Sequence, residues 1–555
     1  MNRSPPLLPL LLAFALFGPW CAAPAADIPN LLVILTDDLG YSDLGCYGGE
    51  IPTPNLDALA GGGVRFSSAY NSARCCPSRA SLLTGLHPHQ TGVGFFATAK
   101  PDPRRGPAYL GHLNDTCVTF AEMLKARGYR TYMVGKWHVG EPGPTQRGFD
   151  EFYGFVNGYA QDQWTPAAYQ RLPAERTPEL KYAAGKFYAT DVFTDYALEF
   201  VRQARAQPPR PWLLYLAHSA PHFPLQAPAA SVAKHLATYR RGWDVLRAER
   251  FARMRKMGLA DDTWTLTERS PVPVDTPAAI TNGYGGQPNP AWADLPADRR
   301  EDLARRMAVF AAMVEHLDAG VGRIVADLKR NGEYDNTAIF FLSDNGACYE
   351  WGPFGFDGPS RKGITTLHTG DALAKMGGPG TDHAYGSAWA NLGNTPFRLY
   401  KHFNHEGGIL NPLFVHWPAG GLRAGTWAHD PVHMMDVLPT LAAIAGSTYP
   451  AVFNGKGLQP VEGISLLPAL RGGSLPERVL AFEHQGARGL REGRWKISFG
   501  KRMPTEPEWE LYDLATDRCE TRNLATSQPE RTAALAAKWL AWAKRVKVHP
   551  FHEQP

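Results

Sequence analysis

The sequence predicts an α/β fold whose large domain has a central, mostly parallel mixed sheet flanked by helices. Apolar runs of strand length recur along the chain, and segments with apolar residues every three or four positions lie between them. Four of these apolar runs end abruptly in ionisable residues. Because ligands bind beyond the carboxyl ends of the strands in open α/β sheets, these strand ends predict a functional site.

The first predicted strand is Asn30–Leu35, an apolar run typical of a strand buried on both faces. It is followed by Asp37 and Asp38. Two adjacent carboxylates at the end of a buried strand repel each other unless a cation or hydrogen-bond donors hold them. On these residues alone, a solvated turn is the alternative.

Three further predicted strands end in the same way. The residues that follow them are Lys136 and His138 after Tyr129–Val134, His218 and His222 after Pro211–Ala217, and Asp344 and Asn345 after Thr337–Leu342. Helical periodicity over Asp191–Ala204 and Arg300–Arg330 predicts helices between strands. A lone Lys or His after a strand is usually a solvated surface group, so the prediction depends on the recurrence.

The segment from Asn71 to Gly85 contains an unusually placed cysteine. Pro77 suits the first turn of a helix, and Gly85 suits its end. Cys75 is therefore expected just before a helix N-terminus, where free N–H groups favour an anion or a nucleophile. Arg79 lies four positions further on and is expected to face the same point.

This segment, CCPSRASLLTG, resembles the modification signature CxPSRxxxLTG of the type I sulfatases, which belong to the alkaline phosphatase superfamily. In that family a separate maturation enzyme oxidises the first cysteine, here Cys75, to formylglycine. Further motifs of this chain are similar to the family's: GKWHVG with Lys136 and His138, SAPHFPLQAP with His222, SDNG with Asp344, and Lys401 five residues before EGG. The resemblance covers nearly the whole chain after the leader.

The resemblance implies a sulfuric ester hydrolase of the arylsulfatase type that forms a covalent formylglycine–sulfate intermediate. The implied metal ligands are Asp37, Asp38, Asp344, Asn345 and residue 75 as formylglycine. These are hard oxygen donors, which favour Ca²⁺, with Mg²⁺ less expected, and argue against zinc. The implied catalytic residues are Cys75, Arg79, Lys136, His138, His222 and Lys401. His222 and Lys401 would assist the departing alcohol, and His138 would take a proton in the release of sulfate.

Two alternatives remain at this point. A phosphonate monoester or phosphodiester hydrolase shares the fold, the metal and the formylglycine motif. A catalytically silent carbohydrate-binding protein would lack a site residue, and none is missing. NTPFRLYK at 394–401 and KFYATD at 186–191 resemble the bacterial arylsulfatases, which implies a small aryl sulfate as an assay substrate. A sulfated carbohydrate stays open as the natural substrate.

The chain is expected to divide into a signal peptide over residues 1–26, a catalytic domain over 27–472 and a C-terminal subdomain over 473–555. The basic start, the short apolar run and the small residues that follow are typical of export, to the periplasm or the medium, without a membrane span in the mature protein. The region 225–296, rich in Pro, Arg and Trp, is expected to be an insertion near the pocket. The resemblance implies an antiparallel sheet with a helix, within 528–546, for the subdomain.

Composition excludes other classes of partner and site. The 57 basic and 53 acidic residues give a net charge of +4, and no basic cluster is interleaved with aromatic residues, so no nucleic-acid partner is expected. The seven cysteines show no CxxC spacing, which argues against a zinc site or a disulfide scaffold. The sequence assigns neither an oligomeric state nor the identity of the maturation enzyme.

Overall fold

The computed structural model describes Met1 and residues 28–97, 106–176 and 179–548. Beyond Met1, the predicted signal peptide lies outside these described residues. Among them, no helix combines the length and the apolar character that crossing a membrane requires.

Within the described ranges the strands lie in four sheets. In chain order they are β1 (Asn30–Thr36), β2 (Val64–Phe66), β3 (Ala69–Tyr70), β4 (Arg130–Lys136), β5 (Glu151–Phe155), β6 (Gln170–Leu172), β7 (Trp212–Ala217), β8 (Thr337–Ser343), β9 (Leu413–His416), β10 (Thr426–Ala428), β11 (Val432–His433), β12 (Val452–Phe453), β13 (Lys456–Gly457), β14 (Val479–His484), β15 (Ala487–Glu492), β16 (Trp495–Phe499) and β17 (Trp509–Asp513).

The α-helices range from single turns to 34 residues. In chain order they are α1 (Pro54–Gly61), α2 (Cys75–Thr84), α3 (Pro88–Thr91), α4 (Phe120–Ala126), α5 (Ala189–Arg205), α6 (Ala229–Tyr239), α7 (Trp243–Lys256), α8 (Ala278–Thr281), α9 (Ala297–Arg330), α10 (Gly370–Lys375), α11 (Gly386–Gly393), α12 (Glu406–Ile409), α13 (Val437–Ile444), α14 (Leu467–Leu470) and α15 (Pro529–Arg545).

The large sheet confirms the predicted α/β class. Its strand order is β10-β2-β9-β8-β1-β7-β4-β5-β6. The neighbours from β8 through β5 run parallel, whereas β9 and β6 are antiparallel to β8 and β5. One apolar cluster packs α5 and α9 against one face of the sheet, and a second packs α2, α4 and α13 against the other. Both faces are therefore covered, which is why the central strands are apolar almost throughout.

The register of the central strands decides where their ends meet. Thr36 of β1 pairs with Ser343 of β8, and Leu35 pairs with Ala217 of β7. The residues that follow these three strands therefore emerge at the same edge of the sheet. Sequence positions about 300 residues apart become neighbours there.

The region 225–296 contains more regular structure than its composition suggested. It forms α6, α7 and α8, and α6 packs along α9. Arg250 of α7 is fully buried, where Asp43 and Glu50 accept its hydrogen bonds at 2.6–2.8 Å. Because burying an unpaired guanidinium is costly, these carboxylates tie the region to the main body. Its predicted role in shaping the pocket stays a prediction.

The C-terminal part has its own small sheet, as the resemblance implied. Strands β14 to β17 form an antiparallel meander, and α15 packs on it through Trp539 and Trp542. Lys496 of β16 reaches Glu406 of the main body and Glu520, each at 2.7 Å. Arg518 also pairs with Glu406. Although burial alone would raise the pKa of Glu406, these cations lower it to about 2. The network joins the small sheet to the segment that carries Lys401.

Replacing Lys496 by methionine should lower the free energy of unfolding by about 3–5 kcal/mol, because Glu406 and Glu520 would keep buried charges with one cation fewer. Urea denaturation followed by circular dichroism measures this. Lys538→Met is the matched control, since its pair with Glu492 is exposed and is expected to contribute less than about 1 kcal/mol. Equal losses in the two variants would contradict the assigned role of the network.

The cysteines that the structure describes are all buried and all reduced: Cys46, Cys75, Cys76, Cys117, Cys348 and Cys519. Burial raises the pKa of Cys46, Cys117 and Cys348, which makes these thiols inert. Cys75 differs from them, as its surroundings show.

Candidate active site

Four oxygen-bearing side chains meet where β1 and β8 end. The backbone N–H of Asp38 donates to Asp344 Oδ1 at 3.2 Å, and Asn345 Nδ2 donates to Asp38 Oδ1 at 2.7 Å. Asp37, Asp38, Asp344 and Asn345 are at most 1% exposed. The structure thus brings together the two predicted halves of the metal site.

These donors fit a hard divalent cation. Asp37 Oδ1 and Asn345 Oδ1 are buried acceptors to which no hydrogen bond from the described residues is made. Orphaned buried oxygens are rare unless an ion or water satisfies them. Burial and the charge of Asp37 raise the pKa of Asp344 well above its ordinary value despite Arg79. A cation among these oxygens would restore the ionised form.

Cys75 is the first residue of α2. The sequence had predicted it just before the helix, so the helix begins slightly earlier than expected. Arg74 has extended backbone angles and caps the helix, and Gly85 ends it in the left-handed conformation at φ 71°. The Cys75 Sγ lies within 4.8 Å of carboxylate oxygens of Asp37 and Asp344. The pKa of Cys75 is well below its ordinary value, chiefly through the neighbouring Cys76 thiol and, against burial, the charge of Lys136. Position 75 therefore favours a negative charge.

Arg79 and Lys136 place two buried positive charges beside the carboxylates. The guanidinium of Arg79 contacts Asp344 Oδ2 at 2.9 Å and Asp37 Oδ2 at 3.4 Å. Lys136 Nζ donates to Asp37 Oδ2 at 2.5 Å, and Arg79 also donates to the Lys136 carbonyl at 2.8 Å. Both side chains are 0% exposed, so their charges act at full strength in a low dielectric.

Lys401 and His222 approach Asp38 from other segments. Lys401 Nζ lies 2.9 Å from Asp38 Oδ1, and His222 Nε2 lies 3.4 Å from Asp38 Oδ2. Burial works to raise the pKa of Asp38, but the charges of Lys401 and His222 outweigh it and lower that pKa. His222 Nδ1 donates to the carbonyl of Phe223 at 2.5 Å, which leaves Nε2 facing the site.

His138 lies beside Cys75 in a strained backbone conformation, at φ 53°. Its ring is 2% exposed, and no hydrogen bond from the described residues reaches either nitrogen. Burial and Lys136 lower the pKa of His138 to about 4, so the ring is neutral and able to accept a proton. His218 is also buried, and its ring has no hydrogen-bond partner among the residues that the structure describes, but it lies against Phe193 rather than between the charged groups.

Sequence reasoning missed a buried chain of polar residues next to this site. Glu350 Oε1 contacts His402 Nε2 at 2.7 Å, and His402 Nδ1 contacts His484 Nε2 at 3.0 Å. His402 follows Lys401 directly and has a positive φ of 76°. Of the three residues, only His402 had a signal in the sequence, namely its position directly after Lys401. The other two residues come from distant segments without a recognisable motif.

The sulfatase family profile matches residues 29–447, most of the chain and every site residue described above except His484. The chain belongs to the sulfatase family. Its reaction is the hydrolysis of sulfate esters to an alcohol and inorganic sulfate, and its class is sulfuric ester hydrolase. Sulfatases generally use a formylglycine residue and a divalent metal ion, which agrees with the donor set around Cys75.

Two curated relatives illustrate the similarity. A sulfatase of Schizosaccharomyces pombe is 32% identical and covers 93% of each chain. The arylsulfatase of Klebsiella aerogenes is 32% identical, over 79% of this chain and 91% of its own. Among solved structures, Ps i-CgsB superposes with a TM-score of 0.63 at 25% identity over 93% of both chains, and it has also been solved with k-i-k-neocarrahexaose.

Proposed function

We propose that residue 75, as formylglycine, is the nucleophile and that the residues around it divide into metal ligands, sulfate-binding cations and proton carriers. The observation that carries the proposal is the convergence of Cys75, Asp37 and Asp344 within 4.8 Å, with three buried cations around them. The hydrated aldehyde supplies one hydroxyl to attack sulfur and a second to expel sulfate. A plain cysteine has no second hydroxyl to do this.

Asp37, Asp38, Asp344 and Asn345 would hold the metal, together with residue 75. Carboxylate and amide oxygens without nitrogen or sulfur favour Ca²⁺ over transition metals. Ca²⁺ is proposed ahead of Mg²⁺, because four protein donors crowded on two strand ends suit a larger, more flexible coordination shell. The metal would withdraw electron density from the sulfate oxygens.

Arg79 and Lys136 would stabilise the charge that develops on the sulfuryl oxygens, since both are buried and already oriented by carboxylates. Lys401 and His222 would face the bridging oxygen, to which they supply positive charge or a proton as the alcohol leaves. His138, neutral and without a hydrogen bond from the described residues, would accept a proton when sulfate is expelled.

Parallel assays with nitrophenyl sulfate and nitrophenyl phosphonate test the reaction. We expect kcat/KM to be at least about tenfold higher for the sulfate, because the chain belongs to the sulfatase family, whereas the three buried cations by themselves suit both monoanionic esters. The metal-loaded protein, with conversion of Cys75 measured by mass spectrometry, is the material to use. A preference for the phosphonate would assign the chain to phosphonate monoester hydrolysis instead.

The remaining sequence-based expectations belong to this proposal. A formylglycine-generating enzyme would modify Cys75, and residues 1–26 would direct export to the periplasm or the medium. The catalytic domain would span 27–472 and the C-terminal subdomain 473–555. The arylsulfatase relative and the carbohydrate complex of Ps i-CgsB support an aryl sulfate or a sulfated carbohydrate as substrate.

A further inference from the structure

Aromatic rings line the side of the site where His222 lies. Phe96 packs against His138 with ring centroids 5.2 Å apart and against Tyr159 at 6.2 Å. Tyr159 in turn lies 6.2 Å from the ring of His222. Phe96 and Tyr159 are partly exposed, unlike the buried charged residues beneath them. The two rings therefore present apolar faces to a ligand that binds beside His222.

Glu350 adds a buried carboxylate beside the segment that carries Lys401, because it is bonded to His402. It is 4% exposed, and His402 fixes its Oε1 at 2.7 Å. His484 behind His402 fixes that ring in turn. Among the described residues, no hydrogen bond is made to Glu350 Oε2. Burial works to raise the pKa of Glu350, but the charges of Lys401, Arg74 and His222 lower it, so the carboxylate is ionised.

Arg74 supplies the opposite charge. It directly precedes Cys75, and its guanidinium lies over the ring of Phe96, 5.0 Å from the centroid. Its Nε is buried without a hydrogen-bond partner in the described part of the chain. No ion pair joins Arg74 to Glu350 there, although the charge of Glu350 acts on Arg74. Both groups therefore adjoin the site without an ion pair between them in the described part of the chain: Arg74 lies beside residue 75 and over Phe96, and Glu350 is bonded to His402, the residue after Lys401.

We propose that Arg74 and Glu350 form a hydroxyl-binding subsite that selects a sulfated sugar as the alcohol component of the substrate, an inference that rests on the sulfatase function proposed above. Glu350 Oε2 would accept a hydrogen bond from one sugar hydroxyl, and Arg74 would donate to a neighbouring oxygen. The apolar face of the sugar ring would pack on Phe96 and Tyr159. Neither residue belongs to the metal set or to the sulfate-binding set.

The charge of the pair favours a neutral polyol over other occupants. A second sulfate group would suit Arg74 but would meet the carboxylate of Glu350 at close range. A simple aryl group would pack on the rings and would leave Glu350 Oε2 and Arg74 Nε without the hydrogen-bond partners that they lack among the described residues. Only a ring that carries adjacent hydroxyls satisfies the acceptor, the donor and the aromatic faces together.

The test compares Glu350→Gln and Arg74→Gln with the unmodified sequence on monosulfated galactose and glucose and on nitrophenyl sulfate. For the preferred sugar, kcat/KM should fall roughly 10- to 100-fold, the usual loss when a charged hydrogen-bond partner is removed. For nitrophenyl sulfate the change should stay within about threefold. The loss should appear mainly in KM, because the contacts are made in the bound substrate as well as in the transition state.

Glu483→Gln is the matched control, since Glu483 is also 4% exposed and also bonded to a histidine, His89 at 2.8 Å. Activities are expressed per formylglycine, because Arg74 adjoins the modified residue. Equal losses of kcat/KM on the sulfated sugars and on nitrophenyl sulfate would overturn the subsite. A wild-type protein that hydrolyses nitrophenyl sulfate but neither sulfated sugar with a higher kcat/KM would overturn it too. A protein inactive on every sulfate would instead contradict the proposed function itself.

Discussion

Replacing Cys75 by alanine should reduce kcat/KM for nitrophenyl sulfate by at least about 10⁴-fold. Alanine cannot be converted to formylglycine, so both the nucleophile and the hydroxyl that expels sulfate are lost. The site keeps its metal ligands and its cations, and substrate binding should therefore weaken much less than turnover. Steady-state kinetics together with sulfate binding by isothermal titration calorimetry separate the two effects.

Cys519→Ala is the control for this substitution. Cys519 is as buried as Cys75, but it lies beside the Glu406 network rather than at the strand ends. The Cys519→Ala variant should have a lower free energy of unfolding and an unchanged kcat. If the Cys75 variant kept a substantial part of its turnover, residue 75 would not be the nucleophile. Peptide mass spectrometry of the wild-type protein should find Cys75 converted to formylglycine after expression with a maturation enzyme.

Asp344→Asn should lower both metal content and activity. An amide keeps a hydrogen-bond acceptor for Arg79, which donates to Asp344 at 3.1 Å, but it removes a negative charge from the metal ligands. Loss of a direct ligand should exceed the roughly 10- to 100-fold typical of residues that only orient ligands. Metal analysis after dialysis, and kcat/KM at increasing Ca²⁺, measure the two losses.

His368→Gln controls for a different metal-capable group, formed by Asp357, His368 and His383. Asp357 Oδ1 there already accepts from Arg306 at 2.8 Å and from His383 at 2.6 Å, and its Oδ2 accepts from the Thr366 N–H at 2.7 Å, so both oxygens are satisfied. This variant should bind as much metal as the unmodified sequence and keep its activity. A chelator should inactivate the unmodified sequence reversibly. Full activity of Asp344→Asn without added metal would refute the assignment of the ligands.

The sequence by itself determined the chemistry of each strand end. The apolar run Asn30–Leu35 predicted a buried strand, and the two adjacent carboxylates after it predicted a cation or hydrogen-bond donors at the strand end. The motif around Cys75 identified the residue to be modified and its family. These features are local: a motif within a few residues, or an apolar run followed by polar side chains, is visible without knowing what lies next to it.

Only the tertiary structure decided which of these residues meet. The hydrogen bond from Asn345 to Asp38 spans 307 positions, and it exists because β1 and β8 pair in a particular register. No motif linked the members of the Glu350–His402–His484 chain to one another, and the EGG motif that contains Glu406 did not reveal its partners Lys496 and Arg518, since each set joins residues from distant segments. Their members are polar groups forced to pair by burial, and burial is a property of the packed chain that local sequence does not encode.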